Sequence, residues 1–185
     1  MVDKRNGVID TYRGLCILLV VLGHTRGLPS EIHRYVYSFH MPAFFILSGF
    51  LFNSSKARAD AICSVREKFH RLVIPAWVMG AICGLPFIAM LLLGKVKYAE
   101  FVELLIGTAI GFPRPDGNFL STPLWFLFCL FSLEILAVVL TRFSGRDPAV
   151  PLLVIGGIGF SVCRETPFIP FDLHIAMPAA FFFLG

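Results

Sequence analysis

The run VIDTYRGLCILLVVLGHTR sets an aspartate, an arginine and a histidine (Asp10, Arg13 and His24) among apolar residues. On an α-helix turning about 100° per residue, Arg13 lies about 300° and His24 about 320° round from Asp10. The three therefore share one face. Ionisable groups within a membrane span normally face a bundle interior or a wet cavity. All three are therefore functional candidates, and an imidazole such as His24 can take and return a proton near neutral pH. The plainer alternatives are an interfacial Asp10–Arg13 pair at i,i+3 spacing and a structural His24.

A second imidazole, His40, interrupts YSFHMPAFFILSGF, followed two residues later by Pro42. Proline cannot donate a backbone hydrogen bond, and its ring disturbs the carbonyl four residues back, that of Ser38. The expectation is a helix opened near Pro42. His40 is six residues past Arg34, so about 9 Å inward, which predicts a depth similar to that of His24 on the neighbouring antiparallel helix. His40 would then position an acceptor or hold the His24 tautomer. The alternative is one satisfied buried histidine beside a packing kink.

Two further groups stand out. In SVREKFHRLVIPAW, Arg66, Lys68 and Arg71 gather at the edge of an apolar run. Three cations there suit a phosphate-rich ligand through charge-assisted bonds, and equally suit membrane topology and anionic lipid. In TPLWFLFCLFSLEIL, Trp125 suits an interface, and Glu134 lies nine residues on, about 14 Å along a helix. A carboxyl near the midplane is expected to be partnered. The Gly80–Gly84 spacing allows close helix packing.

The elements that must position these residues are greasy. Of 185 residues, 57% are hydrophobic, 15% are charged and 20 are Phe, against about 25% charged in soluble domains. The long apolar blocks predict an all-α, polytopic transmembrane helical bundle. Six segments can be drawn: Val8–Leu28, Tyr35–Phe52, Leu72–Gly94, Pro123–Thr141, Ala149–Cys163 and a run from His174 to Gly185, so about five to six spans of about 20 residues. Phe101–Phe112 is too short to span and reads as an interfacial or re-entrant helix. There is no convincing repeat or low-complexity tract, and no cleavable signal: the first run contains Arg13 and reads as a retained helix.

The net charge of +4 is better read through its distribution than as a sign of nucleic acid. With the N-terminus in the cytoplasm, Lys4, Arg5, Arg13, Lys56, Arg58, Arg66, Lys68, Arg71, Arg142 and Arg146 lie inside. Arg26, Arg34, Lys95, Lys97, Arg114 and Arg164 lie outside. The loop Asn53–Arg71, which holds Lys56, Arg58, Arg66, Lys68 and Arg71, decides the orientation. Cys16, Cys63, Cys83, Cys129 and Cys163 show no CxxC or Cys/His spacing of a metal site.

The pieces DTYRGLCILLVVLGH, FHMPAFFILSGFLF, KFHRLVIPAW, PLWFLFCLF and MPAAFFFLG, in this order, resemble the acyltransferase 3 family of membrane acyltransferases. The LGHT and FHMPAFF forms look closest to its fucose 4-O-acetylase-like branch. The resemblance implies an integral membrane enzyme, multi-pass in the cell membrane (a bacterial inner membrane); the charge distribution puts its N-terminus in the cytoplasm. It implies an acyl group, usually acetyl, moved from a cytoplasmic acyl-CoA such as acetyl-CoA. The acceptor would be a hydroxyl of a surface glycan or its lipid-linked sugar precursor, with membrane lipid around the enzyme. The family's functional arginine and histidine fall on Arg13 and His24, and its FHMP histidine on His40. An R-x-x-R motif falls on Lys68-Phe69-His70-Arg71, where lysine keeps the charge but not the bidentate fork.

The expectation is thus a single transmembrane O-acetyltransferase domain over 1–185. His24, Arg13, Asp10 and His40 would be catalytic, with His24 as the base, Arg13 against developing negative charge and Asp10 holding Arg13. Arg66, Lys68 and Arg71 would bind the donor. A covalent acyl-histidine relay is an alternative to general base catalysis. Family members have about ten spans of about 20 residues, and AMPAAFFFLG stops with no polar flank, so the chain is expected to be the N-terminal part of a longer protein. The rivals are a proton-coupled transporter using His24, His40 and Glu134, and an inert membrane fragment.

Overall fold

A computed structural model describes residues 7–25, 27–110, 124–144 and 154, with the side chains of 37–41, 110 and 144 outside the description. The regular structure among these residues is helical throughout. Apart from Val154, the expected fifth and sixth segments lie outside the described residues. The chain divides after Phe52 into two compact units.

The first unit is a helical hairpin. Helix α1 covers Gly7–Gly23 and α2 covers Ser30–Phe50; they pack on each other. Two packed helices joined by so short a connection run antiparallel. The reversal is built locally. Thr25 donates its hydroxyl to the Leu22 carbonyl at 2.6 Å, and Gly27 takes φ 91°, a left-handed angle that glycine adopts without a Cβ clash. Cys16, Val36, Phe45 and Leu47 are buried.

Two expectations change here. Helix α2 begins at Ser30 rather than Tyr35, with Glu31 in its first turn, where a carboxylate favours the helix dipole. It also runs unbroken through Pro42. Proline removes one hydrogen bond from the ladder, and the flanking turns carry this helix across the gap.

The second unit begins with two caps. The Asn53 side chain accepts from the Lys56 N–H at 2.8 Å and starts α3 (Ser54–Ala59). The Asp60 side chain accepts from the Cys63 N–H at 2.9 Å and starts α4 (Ala61–Lys68). Each satisfies a donor that a helix start otherwise leaves orphaned. The expected loop Asn53–Arg71 is therefore mostly helix. Helix α4 continues through a π-helical turn, Phe69–Val73, into α5 (Ile74–Leu92). The Ile74 N–H reaches back five residues to the Phe69 carbonyl, which defines the widened turn. Pro75 follows at once, with no N–H to give the carbonyl four residues back.

Helix α6 (Tyr98–Ile110) covers most of the expected interfacial segment and packs on α5. The Trp77 indole N–H donates to the Ala109 carbonyl at 2.9 Å. At Gly80, a Cβ would stand 2.7 Å from Thr108 Cγ2, so the close approach requires glycine.

Helix α7 (Trp125–Ser144) packs on α3, α4 and the π turn. Val73, Ala76, Leu124, Phe128 and Phe131 form a buried cluster, with Phe69 and Trp125 against it. Contacts pair rising numbers on one helix with falling numbers on the other: Phe69 with Phe131, and Gly80 with Leu124. The two run antiparallel. Thr108, Ser132 and Thr141 return their hydroxyls to carbonyls four residues back, which satisfies them in apolar surroundings. Among the described residues, two helices, Ala61–Leu92 and Trp125–Phe143, are long and apolar enough to cross a membrane.

Candidate active site

In the first unit, Arg13 Nη1 lies 3.9 Å from Asp10 Oδ1, and both side chains are about half exposed. This is the i,i+3 pair that the spacing allows. His24 sits one residue past the end of α1. Its Nδ1 lies 2.8 Å from the Val20 carbonyl oxygen, and its backbone N–H also reaches Val20 O, at 3.1 Å. A carbonyl only accepts, so Nδ1–H is the donor. In the neutral ring the basic lone pair is then on Nε2.

The same helix separates the groups. Eleven residues at about 1.5 Å each put Arg13 about 16 Å from His24 along the axis. One face does not make one contact point, and the expectation that Arg13 supports charge beside His24 does not follow from α1.

The His40 side chain lies outside the described residues; its backbone is in α2. Ten residues separate it from Ser30, which starts α2 at the end of the hairpin where α1 finishes. His40 is therefore about 15 Å further down the hairpin by helix rise. The similar depth follows from counting inward from Arg34; the count from the start of α2 at Ser30 separates the two histidines.

In the second unit, Arg66 and Arg71 are exposed. Lys68, expected beside them, is instead paired: its Nζ lies 2.7 Å from Glu134 Oε2, with the side chains 19% and 12% exposed. Glu134 thus has the partner that its depth calls for. Glu134 is the central residue of the apolar helix Trp125–Phe143, and Lys68, near the start of Ala61–Leu92, reaches it there. Beside it, Glu67 binds Lys56 and holds that ammonium above its ordinary value through the hydrogen bond.

Sequence reasoning missed three of these contacts. The Val20 carbonyl carries no side-chain signal. Lys68 and Glu134 are 66 residues apart, and only packing brings them together. The π turn has no residue signature beyond the following Pro75. Among the described residues, no group of three His, Cys, Asp or Glu side chains could hold a metal ion.

Residues 6–185 match a family model described as an acyltransferase domain. The chain is also similar to the nodulation protein NolL of Sinorhizobium fredii (strain NBRC 101917 / NGR234). The two are 29% identical over 167 residues, covering 82% of this chain and 46% of that protein. The chain therefore spans less than half the length of that relative. No solved structure matches the chain significantly.

Proposed function

The chain belongs to the acyltransferase 3 family, and from that premise we propose that it is part of a multi-pass membrane O-acyltransferase. The donor is an acyl-CoA, with acetyl the favoured group, and the acceptor is a hydroxyl of a cell-surface carbohydrate or its lipid-linked precursor. The N-terminus is cytoplasmic, as the basic residues around Asn53–Arg71 favour. The observation that carries the reading is the family match over 6–185, which includes Arg13 and His24.

In the proposed reaction His24 Nε2 takes the proton of the acceptor hydroxyl as its oxygen attacks the thioester carbonyl. The tetrahedral intermediate collapses, the C–S bond breaks, and the imidazolium returns its proton to the departing thiolate. The products are an ester and free CoA. The hydrogen bond from Nδ1 to Val20 supports this role, because it leaves Nε2 as the accepting nitrogen in the neutral ring. Arg13, oriented by Asp10, acts at the other end of α1, on the donor rather than on the reacting oxygen. An acyl-CoA suits such a division, since a long arm separates its phosphates from its thioester. On the second unit, Arg66 and Arg71 offer exposed guanidinium groups for phosphate.

The test is acyl transfer by the intact protein in membrane vesicles supplied with labelled acetyl-CoA and a lipid-linked sugar. The expected result is label in an alkali-labile ester on the sugar, lost in His24→Ala. Absence of any acyl transfer, together with sugar uptake driven by a proton gradient, would overturn the reading in favour of a carrier.

A further inference from the structure

Among the described residues of the second unit, the more enclosed ion pair has no part in the reaction above. Lys68 Nζ and Glu134 Oε2 are 2.7 Å apart, at the level of the π turn. Lys68 is the last residue of α4 and the turn begins at the next residue. Phe69, its first residue, meets Phe131 edge-on at 5.8 Å between ring centroids. Phe131 is one helical turn before Glu134. An ion pair and a ring contact thus clamp the upstream end of the turn to one side of α7.

Lys68 ends α4, and Arg71 lies inside the turn. On a plain α-helix, residues three apart share a face; the wider π turn opens the angle between them. Lys68 is largely enclosed against α7, whereas Arg71 is exposed. A buried pair is weak evidence of stability, because desolvation offsets the attraction; its best-attested use is to fix one arrangement among several.

We propose that Glu134 is a positioning residue that holds Lys68 on α7 and so fixes the π turn with Arg66 and Arg71 turned to the phosphates of the donor. Lys68 is an internal strut, not a phosphate ligand. This rests on Arg66 and Arg71 being the donor's cationic edge.

The experiment measures KM for acetyl-CoA and kcat in membranes containing the intact protein, as Glu134→Gln, as the exchange Lys68→Glu with Glu134→Lys, and as Arg71→Ala. Glu134→Gln should raise the donor KM about tenfold, the scale of one charge-assisted contact, with kcat within about twofold. The exchange restores the pair with its sign reversed, and should bring KM back near the starting value. A donor KM unchanged in Glu134→Gln would overturn the proposal. So would an exchange variant, inserted at normal level, whose donor KM stays raised, since Lys68 would then be a ligand in its own right. Where Glu134→Gln fails to accumulate, the exchange alone decides between these outcomes. Arg71→Ala separates the two readings. If it leaves the donor KM unchanged, the cationic edge itself is wrong; if it raises KM while Glu134→Gln does not, only the positioning role fails.

Discussion

His24 Nδ1 lies 2.8 Å from the carbonyl oxygen of Val20, one turn earlier on α1. The imidazole is therefore held by backbone, which no side-chain replacement elsewhere can remove. His24→Asn can keep a donor near that carbonyl while losing the proton acceptor. Both His24→Asn and His24→Ala should lower turnover by about 10²–10⁴-fold, the usual contribution of general acid–base catalysis, at unchanged membrane levels. His40→Ala, about 15 Å further down the hairpin, should cost less. Normal kcat in His24→Asn would assign His24 to the helix end rather than to chemistry.

The Asp10–Arg13 pair is about half exposed, so it contributes only about 0–1 kcal/mol to stability. Arg13→Ala should lower kcat/KM for the acyl donor with little change in the unfolding temperature. Arg13→Lys keeps charge without the fork and should recover part of the loss, and Asp10→Asn should be milder than Arg13→Ala. An unfolding temperature that falls in step with activity would point to a structural pair.

Cys63 is exposed on α4, whereas Cys16 and Cys129 are buried. With the other cysteines replaced by serine, Cys63 reports directly on the side of the membrane that α4 occupies. An impermeant maleimide should leave it unlabelled on intact cells and label it after permeabilisation. Ready labelling from outside would invert the proposed orientation.

Gly80→Ala would bring a Cβ to 2.7 Å from Thr108 Cγ2 and 3.4 Å from Leu124 Cδ1. Overpacking of this kind costs typically about 1–3 kcal/mol. The double variant with Thr108→Ser removes the clashing methyl but keeps the hydroxyl that donates to Leu104, and should recover most of the loss. Thermal unfolding in detergent measures both; an unperturbed Gly80→Ala would show that α5 and α6 have room to part.

The helices were legible because their signals are local. The apolar runs around Leu15, Phe45, Ile82 and Leu130 each produced a helix, and Gly80 met a neighbour as its spacing allowed. The stretch from Asn53 to Arg71 reads as a loop by its charges, yet Asn53 and Asp60 are ordinary helix starts that make most of it helical. The candidate site was harder to read. Periodicity gives the angle of Asp10, Arg13 and His24 but not their separation along the axis. The need of Glu134 for a partner followed from its chemistry, but the partner's identity depends on how α7 lies against α4, which no local pattern encodes. The depth of His40 depends on where the count begins, and α2 begins at Ser30, just after Pro29, rather than beside Arg34.

The π turn at Phe69–Val73 also bears on which changes of length the gene can accept. A helix with one residue too many can lose that residue and remain a helix. Removing a single codon from this stretch would close the widened turn to a plain α turn and leave α5 in its present register, with Gly80 still against Thr108 and Trp77 still bonded to Ala109. The same loss inside α5, between Ile74 and Trp77, meets no spare residue and would rotate the rest of the helix by about 100°, turning Gly80 away from Thr108. Between Leu93 and Lys97, where Gly94 already bends the chain at φ 68°, it would only shorten a connection. Tolerance to deletion should therefore change abruptly along one unbroken apolar helix and the turn that follows it.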